Sequence, residues 1–287
     1  MRASSSKFLL SAFLFLNGIA PAQILRGPSF TADAGFKALA GFTGSLPGPT
    51  VVDRQPPGAV LVPTLTLPRM SPELALQSYQ RRAAEQSALL PSYSAHTLIQ
   101  AELPDSAQHG EFRLERSFTA PRKLEFKPIQ FSGDSFIKNN VIARFLRSEV
   151  DHLQKDDPAL TAITSANYKF SYKGTPMVNG RWLHVFQVKP RAKRVGLFKG
   201  RIYLDAYTGS LLYSEGTLIK SPSMFIRQVN FEQKYADFGR FTLPVHIHSE
   251  ALTRIVGRCV IDIDHDDYSF TSTNIESAQS DSQRGNN

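Results

Sequence analysis

Between Phe186 and Gly216 the chain reads FQVKPRAKRVGLFKGRIYLDAYTGSLLYSEG: two strands joined by a basic loop, then a tight turn into a third. Arg201 to Asp205 alternates polar and apolar side chains with the period of two of a half-buried strand. Thr208-Gly209 supplies the turn before Leu211 to Ser214. Connections this short make the run an antiparallel meander.

The segments around it extend that pattern. Ser71-Pro72-Glu73 offers a cap, a proline at the first helical position and an acid in the first turn, so a helix is predicted from about Pro72 to Leu90, stopped by Pro91. His96 to Leu103, Phe112 to Phe118 and Leu124 to Phe131 read as strands. Asp134 is expected to cap an amphipathic helix through Leu153, with Ile137, Val141, Phe145, Leu146, Val150 and Leu153 at helical spacing. A second strand series opens with Tyr168, Phe170 and Tyr172 on one face and Lys169, Ser171 and Lys173 on the other. Gly180 to Lys189, Gly200 to Asp205, Leu211 to Ser214, Phe225 to Tyr235, Phe241 to Ile247 and Arg254 to Ile263 continue it. Many short strands with one helical interruption predict an α+β fold, a curved antiparallel β-sheet folded around a helix.

The amino terminus predicts export. Arg2 and Lys7 precede the apolar run Phe8 to Leu16, and Ala20-Pro21-Ala22 follows, the order of a signal peptide over residues 1–22 cleaved after Ala22. The apolar run is well short of the roughly 20 residues that span a bilayer. The expected location is periplasmic or secreted. Residues 23–70 are broken by GPS, LPGP and QPPG and read as a proline-rich linker or disordered arm; residues 71–270 are expected to form the sheet domain, and the polar stretch 271–287 a disordered tail. The only cysteine is Cys259, so no internal disulfide forms, and its place beside Ile255, Ile261 and Ile263 on one face predicts a buried, inert thiol. The formal charge of +8 includes Arg2 and Lys7 and suits anionic lipid or envelope polymers; an exported chain does not ordinarily meet nucleic acid.

Chemistry-bearing groups are sparse. His246 and His248 share one face of a strand, as in some zinc sites, but that face points away from Phe241, Leu243, Val245 and Ile247. Asp262, Asp264, Asp266 and Asp267 around His265 resemble half of a calcium loop that has neither the turn glycine nor the closing glutamate. Nucleophile elbows, phosphate-cradling loops and His-Glu-x-x-His are missing, so no catalytic residue, no metal and no cofactor are assigned and the chain is read as a non-enzyme. Aromatic surface is plentiful, with 20 Phe and 9 Tyr. A sheet face carrying Tyr168, Phe170, Tyr172, Phe186 and Phe231 is the expected site for a hydrophobic ligand, and Lys189, Arg191, Lys193 and Arg194 the expected contact with a partner, a lipid headgroup or an anionic membrane surface.

Val188-Lys189-Pro190-Arg191, Gly196-Leu197-Phe198-Lys199-Gly200-Arg201-Ile202-Tyr203-Leu204-Asp205 and Thr208-Gly209 resemble the hairpin of the outer-membrane lipoprotein-sorting superfamily, which includes LolA-, LolB- and RseB-like proteins. Phe225 to Pro244 resembles the strand pair that follows it. The resemblance implies an open half-barrel sheet with helices packed on its concave face, acting non-catalytically in the periplasm on a lipid or lipoprotein acyl chain. An envelope sensor or protein-interaction module using the basic loop or the arm, and a metal-assisted hydrolase using His246, His248 and the aspartates near His265, stand as alternatives.

Overall fold

Tyr168, Phe170 and Tyr172 share the inner face of an edge strand, opposite Pro190, Val188 and Phe186 of its neighbour. The computed structural model describes residues 68–271; the expected signal peptide, nearly all of the proline-rich arm and the polar tail past Thr271 lie outside the described residues. In chain order the elements are α1 (Pro72–Leu89), β1 (Tyr93–Leu103), β2 (Gln108–Thr119) and β3 (Lys123–Gly133). A helical run follows, made of α2 (Ser135–Ile137), a π-helical turn (Lys138–Ile142) and α3 (Ala143–Lys155). Then come β4 (Tyr168–Gly174), β5 (Met177–Val178), β6 (Arg181–Pro190), β7 (Phe198–Asp205), β8 (Leu211–Leu218), β9 (Ile226–Phe238), β10 (Phe241–Thr253) and β11 (Arg258–Phe270).

All strands join one antiparallel sheet in the order β3-β2-β1-β11-β10-β9-β8-β7-β6-β4, with β5 paired to β6. The ends β3 and β4 do not pair with each other, so the sheet is open, and the helices pack on its concave face. Two of its strands come unusually close at a pair of glycines. Gly200 faces Gly216 across β7 and β8; a Cβ on Gly200 would lie 1.8 Å from the Glu215 carbonyl oxygen, and one on Gly216 2.6 Å from Phe198 Cδ2. Only glycine allows the two strands to close this far. Gly200 and Gly216 therefore serve the close approach of β7 and β8.

Two helical segments fill the concavity. α1 begins as its sequence predicts, with Ser71 Oγ accepting from the Leu74 backbone N–H at 3.2 Å and Pro72 at the first position. It covers a cluster that includes Tyr79, Tyr168, Phe186, Val188, Phe198, Ile202, Leu204 and Phe231. The α2–α3 run covers a second cluster built from Ile99, Leu114, Phe145, Leu146, Cys259, Ile261 and Ile263, and a third, smaller one, around Leu90, Tyr93, Phe118 and Leu243, lies between Val150, Leu153 and the sheet.

Several local expectations change. Asp134 does not cap its helix; its carboxylate accepts from the His109 backbone N–H at 2.9 Å and ties the helix start to β2. Cys259 is buried beside Ile261 and Ile263, but Ile255 is exposed, because β11 starts only at Arg258, after a turn through Gly257 at φ +71°. Strands β8 to β11 run longer than their apolar cores, since backbone pairing continues into the polar flanks. Pro128 interrupts β3 at the edge of the sheet, where a missing N–H leaves no partner unsatisfied.

Candidate functional site

A cleft of about 340 Å³ opens between α1, the segment Pro158–Ala166 that follows α3, and the ends of β8, β9 and β10. Its origin lies in side-chain size. Ala83 and Ala84 on α1 face Ala159, Ala162 and Ala166 across the gap, so two walls of backbone and methyl groups stand apart where larger residues would have interdigitated. Tyr79, Ile163, Leu211, Tyr235 and Pro244 complete an apolar lining.

The walls are fixed by polar groups at the margin. Arg82 donates to Asp237 Oδ1 at 3.0 Å, and Asp237 also accepts from the Thr242 and Ser210 hydroxyls at 2.6 Å each. Gln86 exchanges two hydrogen bonds with the backbone of Thr242, at 2.9 and 2.8 Å, and so holds α1 on β10. At the far side the Thr208-Gly209 turn seats the helix. Ser78 Oγ donates to the Thr208 carbonyl at 3.3 Å, and Gly209, at φ +70°, lies so close to α1 that a Cβ would meet the Ser78 Cβ at 2.8 Å. Asp205 closes this turn by accepting from the Tyr207 and Thr208 N–H groups at 2.9 and 3.0 Å. The Asp and Thr-Gly of the hairpin thus position a helix rather than perform chemistry. Burial, then the neighbouring Tyr235 and Tyr168, pushes the Tyr79 hydroxyl well above its usual range, so it stays neutral.

The five aromatic residues expected to hold a ligand come together on the inner face, beside the cleft. Tyr168, Phe186 and Phe231 are buried in the cluster under α1, and Phe231 meets Phe198 edge-on at 5.0 Å between ring centres. Phe170 is partly buried against them, while Tyr172 is 45% exposed at the sheet edge with its ring 5.6 Å from that of Phe186. None of the five lines the cleft itself.

The basic loop is divided between two tasks. Arg191 Nε donates to the Ser165 and Tyr168 carbonyls at 2.8 and 3.2 Å, and Arg194 to the Leu160 carbonyl at 3.0 Å. Both arginines therefore hold the cleft wall Pro158–Ala166, which Asn167 braces from within by donating to the Ala159 and Ala162 carbonyls at 2.8 and 2.9 Å. Lys189 and Lys193 are exposed.

On the outer face His246 and His248 each place Nδ1 2.7 Å from a carboxylate, Asp264 and Asp262 respectively, across the β10–β11 register. The bond to Asp262 raises the His248 pKa against the opposing effect of burial. The acidic run is not a loop, since Asp262, Asp264 and Asp266 alternate outward along β11 while His265 turns inward. His265 sits under α3 with Nδ1 2.9 Å from Thr97 Oγ1. Burial, then Arg116 and His246, lowers its pKa well below the ordinary 6.5. Beside it lies an ion pair the sequence reading overlooked: Arg116 of β2 and Glu149 of α3, 8% and 7% exposed. Burial works against the Arg116 charge, but Glu149 and the tyrosines Tyr93 and Tyr268 keep it protonated. The signal was present, because Arg116 alternates with Phe112, Leu114 and Phe118 on the inward face, and Glu149 follows Phe145 by one helical turn.

No family model matches the sequence, and no curated protein does. Solved structures with a similar fold include a domain assigned to outer-membrane lipoprotein sorting from Vibrio parahaemolyticus, at 12% identity over 72% of this chain and 96% of that one, with a TM-score of 0.37. A LolA-superfamily protein from Nitrosomonas europaea aligns at 11% identity over 71% and 94%, TM-score 0.35. The Pseudomonas aeruginosa MucA/MucB complex contributes a chain at 14% identity over 70% and 99%, TM-score 0.23.

Proposed function

We propose that this chain is an exported, non-catalytic binding protein that holds a hydrophobic ligand, a lipid or the acyl chain of a lipoprotein, in the cleft between α1 and Pro158–Ala166. In this reading residues 1–22 are removed after Ala22 and the 71–270 sheet domain works in the periplasm. The observation that carries the proposal is the cleft: its volume of about 340 Å³ lies within the range of small-ligand sites, and its lining is mainly apolar, with a few polar side chains such as Arg82, Gln86, Thr164 and Thr242 among it. An apolar chain gains by leaving water for such a surface, at roughly 25 cal/mol per Å² buried.

The metal-assisted hydrolase has weaker support. The one grouping of three possible metal ligands among the described residues is His96, Asp266 and Asp267, all exposed, and it takes in neither His246 nor His248.

The test is a titration of delipidated protein with a fluorescent fatty-acid probe. Saturable binding is expected, and Ala83→Trp and Ala162→Trp, which fill the cleft from opposite walls, are expected to abolish it while circular dichroism and the unfolding midpoint stay near wild type. Folded wild-type protein that shows no saturable binding, or binding that survives both substitutions, overturns the proposal.

A further inference from the structure

The edge of the sheet next to the cleft carries an uncompensated positive surface. Lys169 of β4 stands directly opposite Lys189 of β6, and both are exposed on the outer face. Lys199 lies on β7 one residue beyond the Val188–Gly200 pair, continuing the row across a third strand. Lys173 extends it along β4, and Lys193 and Arg194 extend it into the β6–β7 turn. Among the described residues no carboxylate comes within ion-pair distance of any of these six cations, whereas Arg201 beside them is matched by Glu215 at 3.6 Å. Like charges directly opposite each other in an antiparallel pair destabilise it. Folding alone gives no reason to place Lys169 against Lys189; an anionic partner does.

The turn also carries apolar surface. Arg194 holds the carbonyl of Leu160, and Leu160, 43% exposed, belongs to the segment whose neighbours Pro158, Ala159 and Thr161 line the cleft. An exposed leucine whose backbone is held by an arginine of a basic turn suits a surface that rests in the headgroup layer, its apolar tip among acyl chains and its cations among phosphates. No described helix is long and apolar enough to cross a membrane.

We infer that Lys169, Lys173, Lys189, Lys193 and Lys199, with Leu160 at the tip, form a docking surface for an anionic phospholipid bilayer. The surface adjoins the Pro158–Ala166 wall, so docking brings the rim of the cleft to the headgroups, where an apolar ligand can pass without crossing water. That last consequence rests on the ligand reading of the cleft; the docking itself does not.

The experiment is flotation of the full chain with vesicles of phosphatidylcholine alone and with vesicles enriched in phosphatidylglycerol, at low and physiological salt. Binding is expected only to the phosphatidylglycerol vesicles and is expected to weaken with salt. The variant Lys189→Glu/Lys193→Glu changes two exposed side chains that make no hydrogen bond to the cleft wall, and each lost cation is expected to weaken binding by about fivefold, the reversal by more. Leu160→Ser should lower binding further without altering its salt dependence. Equal binding to both vesicle types, or wild-type binding by the double variant, overturns the inference. So does capture of a polyglutamate peptide in place of vesicles, which would assign the surface to an acidic protein. Ala83→Trp is expected to leave flotation unchanged, so failure of the ligand reading and failure of the docking are told apart.

Discussion

Under α3 the sheet is packed down to a residual void of about 10 Å³ beside Arg116, Glu149 and His265, and it encloses a full ion pair. Under α1 no Asp, Glu, Lys or Arg among the described residues is buried, yet a cleft of about 340 Å³ remains at its margin. The contrast follows from what each helix presents. α3 brings Phe145, Leu146 and Glu149 inward, large side chains whose one charged member must find a partner or forfeit several kcal/mol. α1 buries only Ala75, Ser78 and Tyr79 and is held mainly by hydrogen bonds at its rim, through Ser78, Arg82 and Gln86. One half of the molecule is a closed scaffold, and the other is a wall placed at a set distance.

The comparison is tested most severely at Glu149. Glu149→Gln leaves the Arg116 charge buried without a counter-charge, and urea unfolding should register a loss of about 3–5 kcal/mol, whereas Arg116→Met combined with Glu149→Leu should lie near wild type. A cost below about 1 kcal/mol for the single change would mean that the α3 half does not depend on its ion pair. A smaller effect is expected where α1 is seated. Gly209→Ala forces a methyl group into the left-handed region and against Ser78, for roughly 1–2 kcal/mol, and should weaken fatty-acid probe binding more than its stability loss implies. If stability falls and probe binding does not, the seat of α1 does not set the width of the cleft.

Acid separates inner from outer histidines with the smallest effects. His265 has a depressed pKa in the fold, so below the ordinary value of 6.5 the unfolded chain takes up a proton that the native state refuses, and stability falls as pH falls. His248 has a raised pKa, so its contribution is fully present below 6.5 and is lost as pH rises through the native value. Stability measured from about pH 7.5 to 5, within the range of about pH 5–8 in which histidine titrates, should therefore decline less steeply in His265→Asn than in wild type and more steeply in His248→Asn. Equal slopes in all three proteins would remove the assignment of His265 to the sealed interior.

Where side chains alternate, the sequence was informative. Tyr168, Phe170 and Tyr172 share the face it assigned them, His246 and His248 point outward, and Ser71-Pro72 starts α1. Other residues misled because their partners are remote. Asp134 looks like a helix cap but serves the backbone of His109, and Arg191 and Arg194 look like free surface cations but hold the carbonyls of Ser165, Tyr168 and Leu160. The cleft itself was illegible: its walls come from residues 79–87 and 158–166, and it is made by alanines, the residues with the least to say about a binding site.

What the sequence by itself determined is therefore local: strand and helix periodicity, the Thr208-Gly209 turn, the glycines at 200 and 216 and the side chains that face inward. These follow from dihedral preference and alternation along a few residues of chain. Only the tertiary structure decided that Gly200 meets Gly216, that Arg116 finds Glu149, and that a void persists beneath α1. Those outcomes depend on the distance between segments remote in sequence, and a distance across a core is fixed by all the side chains that fill it together.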